Sequence, residues 1–288
     1  MSVSALETAP RGAPQLSQAA FERLCKVAEA RAGLSIPAHK SSLVALRLGK
    51  RLSVLGLTDF DSYADLVETS AAEDEREAMI SALTTNVTSF FRERHHFDLL
   101  AETVLPPLVA AAATGTRVRI WSAGCSSGQE PYSLAIALLE AGARAETHNI
   151  RILATDIDPP ILAAAKAGVY PEEQVAEMPD HLVRTHFERT PSKGEFSVGR
   201  MPRALVTFRR LNLIERWPVS GPFDVIFCRN VVIYFSAATQ GQLWRRFEAL
   251  LSDGGHLFVG HSERVPPDLD LPLTPAGVTT YRKFTSPA

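Results

Sequence analysis

Cysteine is scarce in this chain. Cys25, Cys125 and Cys228 are the only three in 288 residues, and no two form a CxxC pair. That excludes a disulfide framework and offers no zinc-ligand spacing, so they read as reduced, packed thiols and no metal is expected. Long apolar runs are missing too: none approaches the roughly 18 residues of a membrane-spanning helix. The opening residues, MSVSALETAPRGAPQ, hold no basic region ahead of an apolar core, so no signal peptide is expected. The expectation is a cytoplasmic protein without direct membrane insertion. A third absence is excess charge. Thirty basic residues against 32 acidic ones leave a net charge of −2, which lacks the electrostatic footprint of a nucleic-acid binder, and no nucleic acid is expected as partner. What is present is a hydrophobic content of 45%, enough over this length for one large domain and a smaller one.

The most informative stretch is residues 118–139, VRIWSAGCSSGQEPYSLAIALL. It opens as a short β-prone run and closes as an apolar helix entered at Glu130-Pro131. Between them, Ser122 to Gly128 carry no bulky side chain, so the backbone can turn sharply and approach a ligand beside the next helix's N-terminal N–H groups. Such turns occur throughout α/β folds. The next strand, residues 150–155, narrows the reading because it ends at Asp156, where a carboxylate can accept both hydroxyls of a ribose. Asp158 followed by Pro159 is the better helix N-cap and N1 pair, which leaves Asp156 free for that task. The spacing from Gly124 to Asp156 exceeds the roughly 20 residues of a dinucleotide fingerprint. A different adenosyl ligand is favoured.

Along the chain, residues 1–15 read as a disordered leader and residues 17–90 as helices: one capped by Ser17, a second from Pro37 to Leu55, a third around residues 60–68 and a fourth from about Glu73. Five basic residues and no acidic ones lie between Arg31 and Thr58, whereas residues 59–77 hold eight acidic residues and only Arg76. On the second helix Lys40, Arg47 and Arg51 fall within an arc of about 40° beside the apolar Val44, Leu48, Leu52 and Leu55. The adjacent Phe90 and Phe91 require burial, so the segment carrying them must dock. Residues 96–112 read as a helix interrupted at Pro106-Pro107, with His95 and His96 as polar residues at its start. Residues 168–203 break the strand-helix alternation and predict a small antiparallel insertion with strands near 185–189 and 195–198. Alternation resumes with strands at 205–209 and 223–227, a helix at 236–251 stopped by Gly254-Gly255, a strand at 256–259 and a final edge strand within 278–284. The pattern is a largely parallel sheet with helices on both faces and its ligand crevice at the strands' carboxyl ends.

NVTSFFR, WSAGCSSGQEPYS, ATDID, LNL, GPFDVIFCRNVVIYF and GGHLFVGHSE, in this order, resemble the CheR family of chemotaxis receptor methyltransferases over residues 21–284. One position departs mildly: Gln129 stands where the family has the first glutamate of Gly-Glu-Glu-Pro-Tyr. The resemblance implies an α/β fold, a class I S-adenosylmethionine-dependent (Rossmann-like) methyltransferase domain over residues 91–288. It implies a small antiparallel β-subdomain inserted at about 168–204 and an all-α N-terminal domain over 16–90. It implies methyl transfer from S-adenosylmethionine to glutamate side chains on the cytoplasmic helices of methyl-accepting chemotaxis receptors, with S-adenosylhomocysteine as product. In some relatives the β-subdomain tethers a receptor C-terminal pentapeptide; this hairpin leaves that mode open. Carried over by position, the cofactor contacts are Asn86, Thr88, Arg92, Glu130, Asp156, Asn212, Leu213, Arg229 and Asn230.

Physical chemistry supports several of these. Glu130 can attract the ammonium of the methionyl moiety, and Asn212 with Leu213 can offer an amide and an apolar wall to an adenine. A glutamate acceptor, with a pKa of about 4.3, is already an anionic nucleophile at neutral pH and needs no general base. The enzyme's task is alignment and exclusion of water. Arg92 and Tyr234 are expected to orient the acceptor carboxylate, and Lys40, Arg47 and Arg51 to attract a glutamate-rich substrate. The enzyme is expected to act as a monomer. Transfer to another nucleophile, or a non-catalytic S-adenosylmethionine sensor, stands as an alternative at this point.

Overall fold

Apolar residues spaced three and four apart give the chain's first four helices one buried face each. The computed structural model describes residues 14–284, so most of the expected leader lies outside the described residues. Helix α1 (Gln18–Ala32) is capped by Ser17, whose Oγ accepts from Ala20 N at 3.1 Å, and ends on Gly33. A single 3₁₀ turn, Ala38–Lys40, leads into α2 (Ser41–Leu55). Then come α3 (Phe60–Glu68), capped by Asp59, and α4 (Glu73–Leu83). Leu24, Leu48, Leu52, Phe60, Tyr63 and Met79 are fully buried.

The basic second helix and the acidic fourth meet within this unit. Arg51 makes two hydrogen bonds to Glu75, Nε to Oε1 at 3.0 Å and Nη2 to Oε2 at 2.5 Å, and the buried Tyr63 hydroxyl donates to the same Oε1 at 2.7 Å. Removing one member strands the others in a partly desolvated place. Glu75→Ala is expected to lower unfolding stability by about 2–3 kcal/mol in urea denaturation. A loss below about 0.5 kcal/mol would mean that solvent already screens the trio.

The chain divides between Thr85 and Asn86, not after residue 90. The reason is the Phe pair: Phe90 packs edge-on against Tyr170 and Phe187, and Phe91 against Phe97, all in the second unit. There, α5 (Arg94–Leu99) runs through a π-helical turn, Leu100–Val104, into α6 (Leu105–Ala113). The expected break at Pro106-Pro107 is therefore displaced. Both prolines sit in the first turn of α6, where a missing N–H costs little.

Strand β1 (Val118–Ala123), α7 (Gln129–Glu140), β2 (Ile150–Asp156) and α8 (Pro159–Ala167) follow. The insertion contains β3 (Val169–Pro171), α9 (Glu172–Val175), α10 (Asp180–His186), β4 (Phe187–Arg189) and β5 (Glu195–Val198), with an antiparallel sheet ordered β3-β5-β4. Its third strand, β3, had no signal beyond Gly168 and Pro171. The chain then returns through α11 (Arg200–Leu205), β6 (Val206–Arg210), β7 (Phe223–Cys228), α12 (Ala237–Leu250), β8 (Leu251–Val259), β9 (Leu273–Gly277) and β10 (Thr280–Lys283).

The main sheet is ordered β6-β2-β1-β7-β8-β10-β9. Its first five strands are parallel, and β10 is antiparallel to both neighbours. Two expectations are corrected. The last strand is not the edge, because β9 pairs outside it, and Gly254-Gly255 lie inside β8 rather than beyond a helix end. Gly255 leaves room there for the Ser252 carbonyl, which an added Cβ would approach to 2.8 Å. Leu134, Leu138, Leu100 and Leu105 bury one face of the sheet, and Trp121, Trp244 and Phe247 the other.

Candidate active site

β1, β2 and β7 end side by side, with Ala123 registered against Thr155 and Ser122 against Phe227. From β1 the chain neighbours β2 on one side and β7 on the other, so a crevice opens above their carboxyl ends. The turn after β1 doubles back through positive φ at Gly124 (83°), Ser126 (49°) and Gly128 (98°). A Cβ on Gly124 would stand 2.3 Å from Val231 Cγ2, so only glycine fits. This geometry aims the Ser126 N–H at Asp156 Oδ2, 2.8 Å away, while the Asp158 N–H donates to Oδ1 at 3.1 Å. Asp156 is 9% exposed, and burial pushes its pKa up against those two bonds. Its carboxylate is thus fixed in direction at the strand end. Asp158 occupies the N-cap position of α8 without making a cap bond; it accepts from Asn86 Nδ2 at 3.1 Å instead.

Arg229, immediately after β7, lies between two carboxylates. Its Nη1 is 3.2 Å from Glu130 Oε2 and its Nη2 3.1 Å from Glu93 Oε2, with the guanidinium 2% exposed. Nη2 also donates to the Arg92 carbonyl at 2.6 Å. Glu130 accepts from Ser122 Oγ at 2.7 Å, and burial raises its pKa despite Arg229. Glu93 behaves oppositely. Burial would raise it, but the Arg229 charge and hydrogen bond outweigh that and hold it at about 2. With both acids ionised, the buried trio carries one net negative charge.

A family model described as the CheR methyltransferase SAM binding domain matches residues 86–281, and one described as the CheR all-alpha domain matches residues 19–84. The chain belongs to the CheR methyltransferase family. It is similar to a probable chemotaxis protein methyltransferase of Rhizobium etli, 46% identical over 88% of this chain and 96% of that one. It is also similar to the chemotaxis protein methyltransferases of Klebsiella aerogenes, 43% identical over 86% and 84%, and of Escherichia coli, 40% identical over 92% and 91%. The enzyme is a methyltransferase using S-adenosylmethionine, and an all-α domain precedes its S-adenosylmethionine-binding domain. No described helix is long and apolar enough to cross a membrane.

In this CheR member the remaining expected residues distribute unevenly. Asn86 lies against the β1 turn, its carbonyl accepting from Ser126 Oγ at 2.9 Å, and the half-buried Thr88 is two residues on. Arg92 Nη1 donates to the Val87 carbonyl at 2.9 Å. The half-buried Tyr234 lies in a 3₁₀ turn, its hydroxyl making no hydrogen bond among the described residues. Asn230 takes φ 58° and donates from Nδ2 to Glu93 Oε1 at 3.4 Å. The segment after β6 runs beside Asp156, whose carbonyl accepts from Leu211 N at 3.0 Å. Asn212 Oδ1 accepts from Ile214 N, and Leu213 is buried with its carbonyl taken by Trp217 and Arg246.

Lys40, Arg47 and Arg51 lie in the helical unit. Lys40 is exposed, Arg47 donates to the carbonyls of Leu83 and Thr84 and to Thr85 Oγ1, and Arg51 is the partner of Glu75. Glu93 went unnoticed in the sequence. Its left-handed φ of 58° swings the carboxylate back towards Arg229, and no pattern of residue types announces that. His96 does stand in the first turn of α5 and is fully buried there, with Nε2 2.8 Å from Thr279 Oγ1 and 3.1 Å from the Val278 carbonyl. Burial, then Arg229 and His95, push its pKa down to about 3. Glu93, His95 and His96 bring donor atoms within 4.8 Å of one another, with Arg229 already balancing the carboxylate.

Proposed function

We propose that the crevice over β1, β2 and β7 seats S-adenosylmethionine and presents its methyl group to the side-chain carboxylate of a glutamate on the cytoplasmic helices of a chemoreceptor. The observation that carries this reading is the buried Glu93-Arg229-Glu130 trio beside the oriented Asp156. Its one net negative charge is completed by the ammonium of the methionyl moiety, while Asp156 accepts from the ribose hydroxyls. Asn86, Thr88 and Asn230 flank the same crevice, and the segment Asn212-Leu213 borders the base. The bound cosubstrate supplies an electrophilic methyl group on a sulfonium.

The chain's own residues then have a limited task. The acceptor arrives ionised, so no side chain has to remove a proton. Arg92 holds one carboxylate oxygen and the Tyr234 hydroxyl donates to the acceptor, so that oxygen, methyl carbon and sulfur fall in line. Glutamate oxygen gains the methyl, sulfur keeps the bonding electron pair, and a negative and a positive charge disappear together. Closing the site to water favours this neutralisation. The products are a glutamate methyl ester and S-adenosylhomocysteine. Labelled methyl from S-adenosylmethionine should appear on cytoplasmic receptor fragments and leave as methanol in alkali; a label that resists alkali would point to nitrogen or carbon acceptors.

Lys40 and Arg47 add long-range attraction for the acidic substrate, whereas Arg51 is neutralised by Glu75. Lys40→Glu combined with Arg47→Glu is expected to raise the KM for receptor about tenfold at low salt with kcat little changed, the gap closing at high ionic strength. An unchanged KM at low salt removes this helix from recognition.

A further inference from the structure

Glu263 is 3% exposed, and its carboxylate accepts from five backbone N–H groups. Oε2 takes Asn230 N at 2.9 Å and Gly260 N at 2.6 Å. Oε1 takes Val231 N and Val232 N at 2.9 Å each and Ile233 N at 3.3 Å. Successive N–H groups turned to one side make an anion-binding concavity, here filled by the chain's own carboxylate. Four of the five donors belong to the loop after β7, whose left-handed Asn230 and short 3₁₀ turn to Tyr234 leave those N–H groups without strand or helix partners. The approach is close. A Cβ on Gly260 would stand 2.6 Å from Asn230 Nδ2, 2.7 Å from Asn230 N and 2.8 Å from Glu263 Oε2.

We infer that Glu263 is a positioning residue for methyl transfer, clamping the loop 230–234 so that Asn230 stays on the cosubstrate and Tyr234 on the acceptor carboxylate. The inference rests on the roles proposed above for those two residues. Only a carboxylate meets the requirement: an amide of the same size has one acceptor oxygen, and its NH₂ would face donors. Gly260 belongs to the same device, since any side chain there pushes the carboxylate and Asn230 apart.

The test compares Glu263→Gln, Gly260→Ala, Tyr234→Phe and Asn230→Ala, singly and in pairs, in the full-length enzyme. Readouts are kcat on saturating receptor fragment and S-adenosylhomocysteine affinity by calorimetry, each at a temperature where circular dichroism shows the variant folded. Glu263→Gln and Gly260→Ala are each expected to lower kcat between about 10- and 100-fold, the scale of a misaligned reacting group. Adding Tyr234→Phe to either should cost little more. Multiplicative losses would reduce Glu263 to a general stabiliser and overturn the inference, as would a wild-type kcat in both clamp variants. If Glu263→Gln does not fold, Gly260→Ala carries the same comparison. If Tyr234→Phe alone leaves kcat unchanged, the role given to Tyr234 fails. The clamp is then decided by S-adenosylhomocysteine affinity, which Gly260→Ala must weaken without multiplying the effect of Asn230→Ala.

Discussion

Asp156→Ala is expected to weaken S-adenosylhomocysteine binding at least about 100-fold, because two hydrogen bonds from ribose hydroxyls to an ionised carboxylate disappear together, each worth about 1.5–3 kcal/mol. The side chain is fixed before ligand arrives by the N–H groups of Ser126 and Asp158, so little ordering cost offsets those bonds. Asp156→Asn separates charge from shape. Its single acceptor oxygen cannot serve both the backbone donors and a ribose, so it should resemble Ala in affinity while keeping the turn. Burial raises the Asp156 pKa, so the wild-type affinity should start to fall on the acid side above the ordinary carboxylate range. Calorimetry across pH checks all three. A dissociation constant for Asp156→Ala within a factor of about three of wild type, less than one hydrogen bond is worth, would remove Asp156 from the site.

Much of this site is legible in the sequence because local rules decide it. A small-residue turn between an apolar strand and an apolar helix has few alternatives, and a carboxylate at the end of the next strand lands beside it through the parallel register of β1 and β2. Residues whose position depends on backbone conformation were hidden. Glu93 is turned inward by positive φ at Phe91 and at its own position, and Glu263 acts on main-chain donors that no side-chain pattern reveals. Asp158 does hold the N-cap position of α8 with Pro159 after it, but it makes no side-chain cap bond, and the amide of Asn86, brought to it by tertiary packing, donates to its carboxylate. The basic run and the acidic run of the first unit were each visible. Their meeting at Arg51 and Glu75 was not, since charge segregation along a chain does not say which faces pack together. Likewise β10 looked like an edge because it is last in sequence, although an antiparallel hairpin with β9 puts it inside the sheet.

Arg229→Met should have the largest effect on the fold. It leaves Glu93 and Glu130 buried without their cation, and breaking such an arrangement costs about 3–5 kcal/mol. The sign of its pH dependence tests the cause. In the wild type the Glu93 pKa lies at about 2, below its ordinary 4.5. Its contribution to stability is therefore complete above pH 4.5 and is lost as pH falls towards 2. Without Arg229, burial is opposed chiefly by the Ser122 hydroxyl at Glu130 and the His261 N–H at Glu93, and it raises the pKa of both carboxyls. The folded variant then takes up protons more readily than the unfolded chain and gains stability as the pH falls. His96 changes the balance in the same sense. With its pKa at about 3 against 6.5 in the unfolded chain, it costs the wild type about 2 kcal/mol at pH 5, and losing the nearby guanidinium relieves part of that. The stability difference between wild type and Arg229→Met should thus be greatest near pH 7 to 8 and shrink steadily towards pH 4 in urea titrations. A difference that stays constant over that range would mean that the guanidinium acts through packing on Phe227, whose ring centre is 5.6 Å from it, and not through its charge.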